Sequence, residues 1–217
     1  RDFNLNIRNR LHPNFVNHKS QIILNNLFCI LNNDYYKNIL IFMEIKNEVT
    51  ISNVTKQYKN KNFFIPKTFK DGTMKINTLD TSKLVKNKFG ILESSDTDYA
   101  DPETLDLIIV PGVVFDQNLS RIGYGKGFYD NFLSSIKKSV LKVGVCYDFQ
   151  LYDNIPTSKN DIKSGTCDGI DFGGVAGISI NKVRTFETGR NGINWYGASD
   201  VEISGCSQKY CGQSGIQ

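Results

Sequence analysis

Three glycines, at positions 123, 125 and 127, alternate with other residues just before a stretch of helical periodicity. Glycine adopts positive φ angles and lets a backbone approach a ligand closely. Amide groups that turn inward at the start of a helix form a binding site for anions. Arg121 precedes this glycine loop (residues 123–127) and Lys126 lies inside it, so the segment also carries two positive charges. The pattern predicts a loop that binds the phosphates of a nucleoside triphosphate.

Asp130 follows the glycine loop by three residues and would repel a phosphate on its own. Its position is explained if a Mg²⁺ ion lies between the carboxylate and the phosphates. The loop matches neither G-x-G-x-x-G nor G-x-x-x-x-G-K-[ST], the two common nucleotide-binding signatures. A tight strand-to-helix turn that uses glycine only for its geometry therefore stays open as an alternative.

The composition restricts the class of protein that surrounds this loop. With 217 residues, 40% of them hydrophobic and 22% charged, the chain is expected to fold as one domain or as one domain with an appendage. No apolar run reaches the ~20 residues of a membrane span, and no signal-peptide core is visible. The net charge of +4 comes from dispersed lysines, which suits an anionic small molecule and does not indicate a nucleic-acid surface. The five cysteines lack metal-ligand spacing and predict free thiols in a reducing compartment. We expect a cytoplasmic protein that is a monomer and has neither a nucleic-acid nor a membrane partner.

Hydrophobic periodicity predicts alternating helices and strands before residue 163. The predicted helices are 17–31, 49–58 and 128–138, and the predicted strands are 38–43, 62–65, 105–110 and 142–147. Pro66 is expected to end the second strand, and a hairpin turn is expected at Asp71 and Gly72. This alternation predicts an α/β fold: an open, mostly parallel, Rossmann-like sheet with helices on both faces and the site at the strand ends.

A change of composition near residue 163 predicts a boundary between two segments, 1–163 and 164–217. The first holds 20 Asn and 7 Gly, whereas the second holds 3 Asn and 11 Gly. Short segments such as V-E-I-S-G-C at 201–206 resemble coils of a right-handed parallel β-helix, of which two at most fit here. We therefore predict a Gly-rich, β-type C-terminal extension, either foreign to the domain, packed on it, or a truncated solenoid.

Two linked motifs carry a resemblance to a known family. The segment V-P-G-V-V-F-D at 110–116 and the segment R-I-G-Y-G-K-G-F-Y-D at 121–130 resemble the paired motifs of the 5-formyltetrahydrofolate cyclo-ligase family, also called methenyltetrahydrofolate synthetase. Phe128 stands where the family has Tyr. Further similar segments include N-E-V at 47–49, I-P-K at 65–67, G-I at 90–91, Y-D-F-Q at 147–150 and I-P-T-S-K-N-D-I at 155–162, so the resemblance covers about residues 1–163.

The resemblance implies an ATP-dependent ring closure that converts 5-formyltetrahydrofolate into 5,10-methenyltetrahydrofolate and releases ADP and phosphate. It implies that Lys126 and Tyr129 are catalytic and that Mg²⁺ is held by Asp130 and Asp161. It also assigns the residues that bind the two substrates. Those for ATP are Arg1, Arg121, Gly123, Tyr124, Gly125, Lys126, Gly127, Phe128 and Tyr129, and those for the folate are Met43, Glu48, Tyr124 and Lys126.

Alternatives remain open for several of these residues. Glu48 also suits the N-terminus of a helix, Met43 suits a plain core, and Asp161 suits a turn cap. The family begins with a Lys-x-x-x-Arg pair, and Arg1 aligns with the arginine of that pair, so the lysine would precede residue 1. Residues 164–170 stand in the place of the family's final strand. Two other functions are therefore kept: a different nucleotide or phosphosugar enzyme, and a non-catalytic relative that binds nucleotide or folate.

Overall fold

The computed structural model describes residues 1–137 and 139–156. Beyond these it describes the strand segments 170–171, 179–181, 184–186, 191–194, 202–204, 207–209 and 214–216. Asp161 and Lys138 lie outside the described residues. The helix predicted over 128–138 ends earlier, at Ser135, because Ile136 is extended. No helix in the described part of the chain has the length and apolar character that crossing a bilayer requires.

The helices of residues 1–137 are short. They are α1 Asp2–Asn9, α2 Pro13–Asn26, α3 Phe28–Asn32, α4 Val54–Gln57 and α5 Phe128–Ser135. Short 3₁₀ helices lie at Thr81–Lys83, Pro102–Thr104 and Asp148–Gln150. His12 caps α2, because its Nδ1 accepts a hydrogen bond from the Asn14 amide at 3.2 Å and Pro13 supplies the fixed φ suited to a first helical position.

The strands of residues 38–152 form a central sheet and smaller pairs. They are β1 Asn38–Leu40, β2 Asn62–Thr68, β3 Met74–Thr78, β4 Leu84–Lys86, β5 Leu92–Ser94, β6 Leu107–Val110, β7 Val114–Asp116, β8 Arg121–Ile122, β9 Leu141–Gly144 and β10 Leu151–Tyr152. The central sheet has the order β3-β2-β1-β6-β9, in which only β3 is antiparallel. Among the described residues, β9 pairs with β6 alone.

The two middle strands of the central sheet, β1 and β6, are buried on both faces, as their apolar runs require. Ile39 and Ile41 point into one core cluster with Leu24 of α2. Leu40 points the other way, into a second cluster that contains Phe132 of α5. Because successive side chains of a strand alternate between faces, this separation places helices on both sides of the sheet. The predicted open, mostly parallel α/β fold is confirmed.

The expectation that Pro66 ends a strand is wrong. β2 continues through Pro66 to Thr68, and Pro66 pairs with Ile76 of β3. The amide of Asn62 and the carbonyl of Phe64 face β1, so the proline nitrogen at 66 faces the same side. β1 has already ended at Leu40, and the missing N–H therefore breaks no bond of the sheet.

The helix predicted over 49–58 is also largely wrong, since only Val54–Gln57 is helical. Two amides of this segment instead donate to side chains outside it. The Thr50 amide donates to Ser20 Oγ at 2.9 Å, and the Ser52 amide donates to Glu44 Oε2 at 3.4 Å. The β-branched run from Val49 to Ile51 also favours an extended backbone. The 17–31 helix is divided at Leu27 into α2 and α3.

The strand segments beyond residue 169 pair in parallel with a constant offset. Ile170 pairs with Ile193, Ser179 with Glu202, Arg184 with Ser207 and Asn191 with Ser214, so partners are always 23 positions apart. One sheet stacks three such segments, 170–171, 191–194 and 214–216, where at most two coils were expected. A constant offset is typical of stacked coils. The division of the chain at residue 163 stays a prediction.

Candidate active site

A cavity of about 360 Å³ opens at the carboxyl ends of β1 and β6, where an open α/β sheet places its ligands. Met43 comes from the segment after β1, and Pro111 and Gly112 follow β6. The segment between β8 and α5 forms the opposite wall. The lining residues are Phe42, Met43, Ile45, Lys46, Glu48, Pro66, Thr68, Phe89, Ile91, Glu93, Pro111, Gly112, Arg121, Gly123, Tyr124, Gly125, Lys126, Gly127, Phe128, Tyr129 and Asp130.

Two glycines of the glycine loop adopt backbone conformations that favour glycine, and two approach arginine side chains closely. Gly125 has φ of +89° and Gly127 has φ of +70°, and Gly127 is the N-cap of α5. A Cβ atom on Gly123 would lie 2.9 Å from Arg121 Nη1, and a Cβ atom on Gly125 would lie 2.8 Å from Arg1 Nη1. Two guanidinium groups therefore lie against the backbone of this loop, and Lys126 adds an exposed ammonium group. This concentration of positive charge matches the predicted phosphate site.

Arg121 connects the loop to the first turn of α5. Its Nη2 donates to Asp130 Oδ1 at 2.5 Å, and its guanidinium lies 5.5 Å from the centre of the Tyr129 ring. Asp130 is 44% exposed in its side chain, so it faces both Arg121 and solvent. The predicted second carboxylate, Asp161, lies outside the described residues. Within residues 1–137 and 139–156, no three His, Cys, Asp or Glu side chains group so as to hold a metal ion.

Glu48 and Tyr124 join the two walls of the cavity. The Tyr124 hydroxyl donates to Glu48 Oε1 at 3.1 Å, and the Ile45 amide donates to Glu48 Oε2 at 3.0 Å. Burial raises the pKa of Glu48, and the nearby guanidinium of Arg8 opposes that rise. Burial, together with the Glu48 charge, raises the pKa of Tyr124, so its hydroxyl stays protonated. Glu48 precedes α4 by several residues, and the helix-terminus alternative for it is therefore wrong.

Met43 and Phe128 face both the cavity and the interior. Met43 lines the cavity and also packs against the core cluster that contains Ile39 and Ile41. Phe128 lines the same cavity from the first residue of α5 and packs against the second cluster. The hydroxyl of Tyr129 is buried with no hydrogen-bond partner, and burial raises its pKa. Of the predicted site residues, all but Asp161 lie in or against one cavity.

Sequence reasoning missed Arg8, which lies behind the Glu48 wall with only 1% of its surface exposed. Asn4 and Arg8 lie four positions apart on one face of α1, but two polar residues at that spacing do not by themselves indicate burial. Glu93 lies just beyond the G-I segment at 90–91 and lines the cavity, and its Oε1 accepts hydrogen bonds from the amide and hydroxyl of Thr68 at 3.0 and 2.7 Å. Phe89, half exposed near the tip of the β4–β5 hairpin, was missed as well.

Comparisons with known proteins bear on the same region of the chain. The family model of the 5-formyltetrahydrofolate cyclo-ligase family matches residues 1–165. A probable 5-formyltetrahydrofolate cyclo-ligase of Schizosaccharomyces pombe is 36% identical over 148 residues, which is 58% of this chain and 72% of the relative. The 5-formyltetrahydrofolate cyclo-ligase of Mus musculus is 31% identical over 153 residues, which is 62% of this chain and 74% of the relative.

A solved structure gives the same result for the fold. The 5,10-methenyltetrahydrofolate synthetase of Aquifex aeolicus superposes with a TM-score of 0.66 at 30% identity, covering 75% of this chain and 83% of that one. The predicted family is thus confirmed, and with it the ligase class that the sequence indicated. The motifs at 110–116 and 121–130, the cavity that they line and these matches lead to one conclusion: the chain belongs to the 5-formyltetrahydrofolate cyclo-ligase family.

Proposed function

We propose that the chain catalyses the ATP-dependent cyclisation of 5-formyltetrahydrofolate to 5,10-methenyltetrahydrofolate, with ADP and phosphate as the other products. One observation carries the proposal: Met43 and Glu48 converge with the glycine loop in a single cavity, and Tyr124 of that loop donates to Glu48. The buried carboxylate of Glu48 keeps acceptor positions for a ligand with N–H donors, which a phosphate group does not offer. The arrangement therefore suits two ligands that meet.

The glycine loop is the proposed site for the triphosphate. Its amides, Arg1, Arg121 and Lys126 would spread the charge of the phosphates, which is most of what a protein contributes to phosphoryl transfer. Asp130 fits a Mg²⁺ ion, because magnesium commonly binds one or two carboxylates together with substrate phosphates. Bound there, the ion would supply charge neutralisation between the phosphate oxygens. Asp161 is proposed as a second carboxylate.

The opposite wall is the proposed site for the pterin ring. Glu48 would accept hydrogen bonds from the ring N–H and amino groups, a pairing that a carboxylate with unused lone pairs can make. Met43 would pack against the face of the ring, and Lys126 and Tyr124 would lie between the two substrates. Tyr129, whose hydroxyl is buried and protonated, can act as a hydrogen-bond donor but not as a base.

The chemistry then proceeds in two displacements. The formyl oxygen attacks the γ-phosphorus, and the bond from that phosphorus to ADP breaks. The N10 nitrogen attacks the activated carbon, the N10 proton is released, and the bond from carbon to the phosphate oxygen breaks. The residues of the cavity align the formyl oxygen, the γ-phosphate and N10, and alignment of this kind accounts for a large part of such rate enhancements. We further propose that the protein acts as a monomer in the cytoplasm, without nucleic-acid or membrane partners.

A turnover assay with two matched lysine variants tests the proposal. The purified chain is incubated with 5-formyltetrahydrofolate, ATP and Mg²⁺, and the absorbance of the methenyl product and the ADP formed are followed together. We expect equal amounts of both products. Lys126→Ala should lower kcat/KM by about 100-fold or more, because it removes a charge from the phosphate loop. Lys59→Ala, an exposed lysine beside α4, should leave turnover unchanged. Binding of both substrates without product would instead favour the non-catalytic relative.

A further inference from the structure

A buried arginine lies directly behind the proposed pterin wall. Arg8 is 1% exposed, and Glu48, its nearest acidic neighbour, is 6% exposed. Removing a guanidinium group from water is unfavourable unless charges and hydrogen bonds in the protein replace the hydration. The partners of Arg8 therefore show what its burial achieves.

Arg8 holds three separate segments of the cavity together. Its Nη1 donates to the carbonyl of Gly112, in the segment that follows β6, at 3.1 Å. Its Nη2 donates to the hydroxyl of Tyr124 in the glycine loop and lies 3.6 Å from Oε1 of Glu48. The guanidinium also lies 5.3 Å from the centre of the Tyr124 ring. Arg8 thus starts a chain of hydrogen bonds in which Tyr124 accepts from Arg8 and donates to Glu48.

This chain of hydrogen bonds leaves part of Glu48 unused. A carboxylate offers about four acceptor positions. The Tyr124 hydroxyl occupies one on Oε1, and the Ile45 amide occupies one on Oε2. Each oxygen therefore keeps acceptor capacity at the wall of the cavity, which suits a ligand with two adjacent N–H donors. The orientation of these positions depends on the donors that fix the other side of the carboxylate.

A second contact ties α1 to the loop that carries Glu48. Asn47 has φ of +59°, a left-handed conformation that asparagine tolerates. Its Nδ2 donates to the carbonyl of Arg8 at 3.0 Å and to that of Leu11 at 3.2 Å. The end of α1 and the 45–48 loop are therefore docked through a side chain on each partner, Arg8 from the helix and Asn47 from the loop.

We propose that Arg8 is a positioning residue for the folate side of this cavity: through Tyr124 it fixes the Glu48 carboxylate so that its unused acceptor positions meet the paired N–H donors of the ligand. The inference rests on the proposed function, because it specifies how the pterin wall is held. Arg8 is not among the residues that line the cavity, so its proposed role is to act through Tyr124 and Glu48. The same helix brings Arg1, seven residues earlier, to the glycine loop, so α1 supports both sides of the site.

Three variants separate orientation from folding. Arg8→Gln removes the positive charge and most of the N–H donors of the guanidinium group. Arg8→Lys keeps the charge, but one ammonium group cannot reach the three acceptors that the guanidinium contacts. Arg10→Gln changes an exposed arginine at the end of α1 and serves as the matched control. Each protein is assayed for equilibrium binding of 5-formyltetrahydrofolate and of ATP, for its melting temperature, and for the pH dependence of folate binding.

We expect Arg8→Gln to weaken 5-formyltetrahydrofolate binding by about 10- to 100-fold, the range for loss of a hydrogen bond to a charged group. ATP binding should be weakened clearly less than folate binding, since Arg8 reaches the glycine loop only through the Tyr124 side chain and not through its backbone amides. Arg8→Lys should fall between Arg8→Gln and the parent, and Arg10→Gln should match the parent. Equal losses for folate and ATP, or folate binding unchanged in Arg8→Gln, would overturn the inference.

The pH dependence gives a readout that a merely structural role would not move. The charged and titratable groups near Glu48 are Arg8 on α1, Glu44 on its own segment, Tyr124, Tyr129 on α5 and Tyr147 after β9. Loss of the Arg8 charge raises the pKa of Glu48 further, so folate binding in Arg8→Gln should begin to fail at a higher pH on acidification.

A direct measurement distinguishes failure of the inference from failure of the proposed function. Should the parent protein bind no 5-formyltetrahydrofolate, the proposed function fails. The Glu48 carboxyl is then titrated by carbon NMR, assigned with Glu48→Gln, in the parent and in Arg8→Gln. A higher pKa for Glu48 in Arg8→Gln supports the positioning contact, and an identical pKa in both overturns it.

Discussion

Gly125→Ala tests whether the glycine loop forms the phosphate site. Gly125 has φ of +89°, where an L-amino acid is strained by about 1–2 kcal/mol. The new Cβ atom would also lie 2.8 Å from Arg1 Nη1. Arg1 is 46% exposed in its side chain, so its flexible end can move aside. The backbone strain therefore dominates the effect on stability.

Gly72→Ala supplies a control with the same strain and no ligand nearby. Gly72 has φ of +87° in the turn between β2 and β3, and its Cβ atom would meet nothing within 4 Å. Gly72→Ala should lose about 1–2 kcal/mol of unfolding free energy, which corresponds to a drop of about 2–8 °C in melting temperature for a chain of this size. Gly125→Ala should lose less than this, by the part of the strain that its free loop relieves. Only in Gly125→Ala can relief of the strain turn amides away from the phosphates.

The affinity for ATP distinguishes the two variants. Because bound ATP must restore the strained conformation, the same 1–2 kcal/mol should raise the Kd for ATP by about 5- to 30-fold in Gly125→Ala. Gly72→Ala should bind ATP as the parent does. Calorimetric titration with ATP and thermal unfolding of both proteins check the two expectations. Equal ATP affinities in the two variants would refute the assignment of the loop as the phosphate site.

Two further outcomes follow from the described interior. Gly144→Ala would place a Cβ atom 2.7 Å from Cε1 of the buried Phe115 ring, so it should lower the unfolding free energy by about 1–3 kcal/mol, measured by denaturant titration; an unchanged midpoint would contradict the packing. Burial raises the pKa of Cys146 to about 12. Only about one thiol in ten thousand is then ionised at pH 8, and alkylation of the native protein, followed by mass spectrometry, should be negligible there and rise about tenfold per pH unit. Labelling of native protein at the rate of an ordinary thiol would argue against that burial.

The sequence predicted the parts of the site that are local in the chain. Arg121, the three glycines and Lys126 fall within seven residues, so spacing alone placed them on one loop. The alternation of apolar segments also predicted the α/β class, because a strand buried on both faces and an amphipathic helix leave different periods in a sequence. Element boundaries were predicted less well. Pro66 can lie within β2 because the neighbouring strand β1 ends before it comes level with the proline nitrogen. The sequence around Pro66 does not show where β1 ends.

Arg8, Glu48 and Tyr124 show what the sequence left open. Tyr124 is 76 positions from Glu48 and 116 from Arg8, and nothing in their spacing relates them. Arg8 looks like an ordinary charge on a short helix until the sheet brings the three segments together and excludes water from the guanidinium. The type and order of residues thus determined the glycine loop and the layered sheet, because both depend on contacts close in the chain. The buried pair that holds the proposed pterin wall was decided by tertiary structure alone, since only folding supplies the burial and the partners that make it stable.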